Sequence, residues 1–138
     1  MSDSTWTDDL SLGVDAIDRE HHLQVDLLDE VVTSLDRARP AAEVVEVLER
    51  LIEYTNAHFL AEQLMMRLHG YPLYQAHVAE HDELLAEVRT LRDAVAGGDE
   101  ATSRAVAATL RTWLTTHMRG MDRTYADYVA QPGVTPAV

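Results

Sequence analysis

From residue 15 onward, apolar positions recur with a helical period. Ile17, His21, Val25, Leu28, Val32 and Leu35 fall at steps of three and four, the spacing that aligns side chains on one face of an α-helix. This predicts a first helix over 15–37, with Asp15 or Asp18 capping its start and the stretch from Arg37 to Pro40 ending it. A second stripe, Val44, Leu48, Leu51, Thr55, His58, Glu62, Met65 and His69, alternates steps of four and three like the seam of a bundle interior. Gly70 suits the left-handed position after a helix, and Pro72 is expected to open a third helix. That helix carries Tyr74, His77, His81, Leu84, Val88, Leu91 and Val95 until Gly97 and Gly98 stop it. A fourth helix begins near Asp99 and is expected to bury Val106, Leu110, Trp113 and His117.

Before Asp15, Trp6, Leu10, Leu12 and Val14 follow neither a helical nor a strand period, so residues 1–14 are read as an extended N-terminal arm packed on the helices. Residues 129–138 are read as a loose C-terminal tail. Four helices with short links predict an all-α fold, an antiparallel up-down-up-down four-helix bundle forming a single domain over 1–138.

The seams carry an unexpected load of ligand-type residues. His58 and Glu62 stand four apart on the second helix, and His77 and His81 four apart on the third, so each pair points the same way about one turn (~6 Å) apart. The tight Gly-Tyr-Pro link makes these helices antiparallel and sets one pair opposite the other. With a rise of 1.5 Å per residue, His21 lies ~9 Å above the start of its helix, His58 and Glu62 ~11 to 17 Å before the end of theirs, and His77 and His81 ~8 to 14 Å after the third begins. His117 reaches the same level if the fourth helix matches the others in length. Asp122 fits less simply, because five residues along an ideal helix turn it ~140° from His117. A local unwinding or π-type bulge at Gly120, a poor helix former, would bring its carboxylate inward.

Burying five imidazoles and a carboxylate in one layer without an ion would cost several kcal/mol, so a dinuclear metal site is the reading that the seams favour. His22 lies 100° off the seam and His69 ~10 Å past Glu62; both are read as surface or helix-end residues. Met65, Met66 and Trp113 are read as core packing.

Composition narrows the chemistry. The chain has 138 residues and no cysteine, which removes thiolate sites, iron-sulfur clusters and disulfides and leaves imidazole and carboxylate as ligands. Such donors suit Fe, Zn or Cu better than Mg or Ca. All eleven basic residues are arginines scattered among 24 acidic ones, for a formal charge of -13, so no basic stripe exists for nucleic acid or an anionic membrane. No stretch approaches the roughly 18 apolar residues of a membrane span, and the N-terminus lacks the basic start and apolar run of a signal peptide. The expected location is the cytoplasm.

The segments LSLGVDAIDREHH, YTNAHFLAE, GYPLYQAHVAEH and WLTTHMRGMDRTY match, in order and spacing, the motifs of the bacterial hemerythrins, and the chain resembles that family over nearly its whole length. The resemblance implies two iron ions bridged by Glu62, Asp122 and an oxo or hydroxo group. His77, His81 and His117 would bind one iron, His21 and His58 the other, leaving one open coordination position for O2 or another small diatomic or anionic ligand. Leu114 and Met118 resemble the lining of the family's oxygen pocket. Gln63, His69 and Met118 depart from the residues usual in relatives, and none of these changes removes a ligand.

The implied function is reversible O2 binding for delivery, storage or sensing by a protein that is not an enzyme, with an oxygen-consuming protein as a candidate partner. Two other readings stay open: a di-iron peroxidase, oxidase or nitric-oxide-processing enzyme, and a sensor module acting on a partner.

Overall fold

The computed structural model describes residues 5–132, and every long element is an α-helix. Helix α1 (Asp15–Asp36), α2 (Ala41–Leu68), α3 (Tyr74–Ala96) and α4 (Glu100–His117) run up and down in turn; α4 continues through a π turn (Met118–Asp122) into α5 (Arg123–Val129). Successive long helices pack on one another, and α4 closes the ring on α1. This is the expected four-helix bundle. Among the described residues, no helix is long and apolar enough to cross a membrane.

Glycines close two of the helix ends. At the end of α2, Gly70 takes a φ of 62°, and Tyr71 N–H reaches back to Met66 O at 2.9 Å, the hydrogen bond that defines a left-handed helix stop. Gly98, with a φ of 75°, does the same at the end of α3. At the end of α1 the left-handed residue is Ala38, with a φ of 51°, a conformation that costs a side-chain-bearing residue about 1–2 kcal/mol.

Several boundaries differ from expectation. Pro72 does not open α3: Pro72 and Leu73 form a turn and the helix starts at Tyr74. Neither Asp15 nor Asp18 is the capping residue of α1, which is Val14. Asp18 instead reaches back to accept hydrogen bonds from Leu12 N at 2.8 Å and Ser11 Oγ at 2.6 Å. The arm is not extended throughout, because Asp8–Leu10 make one 3-10 turn that buries Leu10 completely. Three arginines on the descending helices fasten it: Arg111 donates to Thr5 Oγ1, Arg119 to Asp9, and Arg123 to Ser11 O. In the tail, Val129 still belongs to α5; residues 133–138 lie outside the described part.

The core above the metal-ligand layer is aliphatic. Val25, Leu28, Val31, Leu48, Leu51, Leu84, Val88, Leu91, Leu110 and Leu114 are all buried in it. The stripe of α4 is Ser103, Ala107, Leu110, Leu114 and His117. Val106 and Trp113, expected inside, are only partly buried against its flank. In α2, Met66 is the packed methionine and Met65 is 45% exposed, since the helix turns its seam by one residue near its end.

Candidate metal centre

All seven expected ligand residues are buried and converge in one layer. His21 comes from α1, His58 and Glu62 from α2, His77 and His81 from α3, His117 from the last residue of α4, and Asp122 from the end of the π turn. The π turn places the last of these. An i to i+5 turn holds one more residue than an α turn, so residues five apart end up stacked on one face. His117 and Asp122 thereby meet, with His117 Nε2 3.1 Å from Asp122 Oδ1.

The two carboxylates divide their oxygens between two groups of imidazoles. Glu62 Oε1 lies 2.7 Å from His77 Nε2 and 3.1 Å from His81 Nε2, while its Oε2 lies 3.6 Å from His58 Nε2. Asp122 Oδ1 lies 3.0 Å from His77 Nε2, and Oδ2 lies 3.2 Å from His21 Nε2. Two clusters of mutually close ligand atoms result: Glu62, His77, His81, His117 and Asp122 form one, and His21, His58 and Glu62 the other. Glu62 belongs to both, and Asp122 spans them through its two oxygens.

The layer's electrostatics suit cations. Burial and the neighbouring Asp122 charge act to raise the Glu62 carboxyl, yet the close imidazoles of His77 and His81 hold it below its ordinary value. Burial likewise opposes ionisation of Asp122, but the charge of the adjacent His117 and the hydrogen bond with His77 keep it well below the carboxylate range. Burial lowers His21 and His81 despite their carboxylate neighbours. At His117 burial is the strongest single influence and opposes charging, but the adjoining Asp122 and Glu80 carboxylates together raise it. At His77 burial is overcome by the hydrogen bond to Asp122 and the Glu62 carboxylate 2.7 Å away, which push it up to about 9.

Protein groups alone do not satisfy this layer. The Nε2 atoms of His21, His58, His81 and His117 are buried without an aligned hydrogen-bond partner. Four such orphans cost roughly 4–12 kcal/mol together, comparable to a whole domain's stability of about 5–15 kcal/mol. Metal ions on those nitrogens remove the penalty, so the donor set fits a pair of cations of borderline softness.

Three residues take positioning roles that sequence reading did not assign to them. His81 Nδ1 donates to Gln63 Oε1 at 2.9 Å, and His117 Nδ1 to Glu80 Oε1 at 2.6 Å. Glu20 Oε2 stands 3.4 Å from His58 Nδ1, an ion-pair distance without hydrogen-bond alignment. Partners on Nδ1 turn Nε2 inward and fix the imidazole's orientation. A signal did exist: each is adjacent in sequence to a ligand, and one step along a helix rotates by 100°, toward the next helix and its ligand. Phe59 was also missed; its ring stacks on His81 at 3.7 Å between centroids and walls the layer from the core.

His22 and His69 stay outside, as expected. His22 is half exposed, stacks on Trp6 and faces Asp26; His69 Nδ1 is hydrogen-bonded with the Tyr125 hydroxyl at 2.9 Å. Leu114 and Met118 are both buried in the apolar cluster that includes Phe59. On the opposite, loop-ward side of the layer, a cavity of about 410 Å³ touches His58, Glu62 and Asp122 and is otherwise walled mainly by apolar side chains such as Leu12, Ile17 and Val129.

A helical bundle that closes five imidazoles and two carboxylates into one buried layer is a metal-binding bundle protein. The sequence model of the hemerythrin HHE cation binding domain matches residues 12–129, and the chain belongs to the hemerythrin family. It is 34% identical over 124 residues to a bacteriohemerythrin of Stenotrophomonas maltophilia, covering 90% of this chain and 80% of that one. A bacteriohemerythrin of Ralstonia nicotianae is 33% identical, with 93% and 90% covered, and one of Pseudomonas paraeruginosa 30% identical, with 94% and 83% covered.

Proposed function

We propose that this chain, acting as a single domain, holds two iron ions and binds O2 reversibly for delivery, storage or sensing. His77, His81 and His117 would hold one ion, His21 and His58 the other, and Glu62 and Asp122 would span both. The observation that carries this reading is the division of carboxylate oxygens, one toward each imidazole group, on both Glu62 and Asp122. A mononuclear site would have no use for it. When bound, an iron pair supplies the two electrons and the open coordination position that O2 requires.

The protein's own groups do the rest. Two anionic carboxylates and five imidazoles make a donor set less negative than carboxylate-rich di-iron sites, which disfavours the high oxidation states that oxidases use. Glu20, Gln63 and Glu80 hold imidazoles in register. Phe59, Leu114 and Met118 present hydrocarbon on the core side and exclude water and protons from the ligand. The bacteriohemerythrin relatives support the same reading by their name.

The competing reading, an oxidase, peroxidase or nitric-oxide-processing enzyme, draws on the cavity beside His58, Glu62 and Asp122, whose size suits a small substrate. Uptake of O2 by the reduced protein separates the two. A carrier takes up one O2 per two irons and releases it under vacuum; an enzyme consumes O2 or peroxide continuously in the presence of a reductant. We infer a cytoplasmic setting, which cell fractionation would check.

A further inference from the structure

The core side of the metal layer contains one buried polar pair. Gln24 on α1 is 1% exposed and Thr55 on α2 is 4% exposed. The Gln24 carboxamide nitrogen donates to Thr55 Oγ1 at 3.3 Å, and Gln24 Oε1 is buried with no partner. Its neighbour along α1, Val25, and Leu51 and Ile52 near Thr55 on α2 belong to the aliphatic core. A leucine or methionine of similar volume would fill the Gln24 position without an orphaned polar atom. A buried polar atom without a partner calls for a specific explanation.

The position supplies one. Gln24 follows His21 by one turn on the ascending α1, and Thr55 precedes His58 by one turn on the descending α2, so the pair forms the next rung above the His21 and His58 rung. Those two imidazoles meet edge to face, 4.9 Å between centroids. The carboxylates approach this subsite from the other direction: Glu62 lies one turn below His58, and Asp122 lies below His117 on the descending fourth helix. On the core-ward side of the two-histidine subsite, Gln24 and Thr55 are thus the polar groups of the next rung, set beside the hydrocarbon of Phe59 and Leu114.

We propose that Gln24 is a ligand-binding residue, hydrogen-bonding a small exogenous acceptor, O2 or an inorganic anion, at the open coordination position of the His21 and His58 subsite. This rests on the dinuclear reading above. A carboxamide turned end for end sets its oxygen toward the Thr55 hydroxyl, which can donate as well as accept. That turn satisfies the orphaned oxygen and frees the Gln24 N–H groups to donate to the ligand. Thr55 is then the tether that keeps the amide aimed.

Azide is the probe, titrated by visible absorption into the ferric protein after its iron content has been measured. Gln24→Leu should retain two irons per chain and raise the azide dissociation constant about tenfold or more, the effect of one lost hydrogen bond to a charged group. Gln24→Met, of similar volume and unbranched, provides the second variant for the same titration. A second readout separates binding from support of the fold: in the metal-stripped protein Gln24→Leu should leave the thermal midpoint unchanged or higher, since it removes an unsatisfied buried oxygen. Two irons per chain with wild-type azide affinity in both variants would overturn the inference alone. A wild-type chain that does not hold two irons would overturn the dinuclear reading, and this inference with it.

Discussion

Histidine is the residue on which this molecule turns, and its seven copies divide by register. His21 and His58 lie on seams and are buried with unpartnered Nε2 atoms; His22 and His69 lie off the layer with partners of their own. Changing His22 or His69 to Gln should therefore leave two irons per chain by elemental analysis, whereas the same change at His21 or His58 should cost one iron. Loss of iron from His22→Gln with retention in His21→Gln would mean that α1 is misregistered by one residue.

His77 gives a pH prediction for the metal-stripped protein. Its pKa is raised from an ordinary 6.5 to about 9, so the charged imidazole is stabilised by the fold. That contribution is fully present below pH 6.5 and is lost as pH rises through about 9. The thermal midpoint of the stripped protein should fall across that window, and that of a stripped His77→Gln variant should fall less, the remainder coming from His117, whose pKa is also raised. The ligand residues were legible because buried polar side chains at helical spacing stand out against an aliphatic seam. Glu20, Gln63 and Glu80 were not, because they fall on half-polar faces where a charged residue is the ordinary occupant.

Among the elements, the π turn shows how far local reasoning reaches. Ideal geometry put Asp122 on the wrong face, and the needed irregularity could be located between His117 and Asp122. Gly120 looked like its cause. In the structure the π turn spans Met118–Asp122, but a Cβ at Gly120 would meet nothing within 4 Å and its φ is not positive. Gly120 thus lies inside the turn without a steric demand for glycine, and the turn's flanking residues His117 and Asp122 share the ligand layer. Gly120→Ala should consequently retain both irons and change stability by no more than about 1 kcal/mol, the difference in helix propensity; loss of metal would restore glycine as the cause. The start of α3 was misread at Pro72 for a related reason. Proline is compatible with both a helix's first turn and a tight turn, and the choice depends on where Tyr71 is pinned by Met66 O.

For the molecule as a whole, an up-down bundle makes sequence distance convertible into depth. Each helix begins or ends at one of two faces, so a residue count from the link gives the layer, and four helices agreed on one. Contacts of the arm were not legible in that way, because Thr5, Asp9 and Ser11 meet Arg111, Arg119 and Arg123 across more than a hundred residues and no periodicity records such pairings. The orphaned Gln24 oxygen was equally hidden until α1 and α2 were packed.

At this scale the central claim is that the fold assembles two metal subsites around one exchangeable ligand position. The most direct test is to cycle the chemically reduced protein between O2 and vacuum while recording its visible spectrum. A charge-transfer band that appears with O2, disappears under vacuum and returns over repeated cycles is the predicted result. A spectrum that changes once and stays ferric, or does not respond to O2 in protein holding two irons, would contradict it.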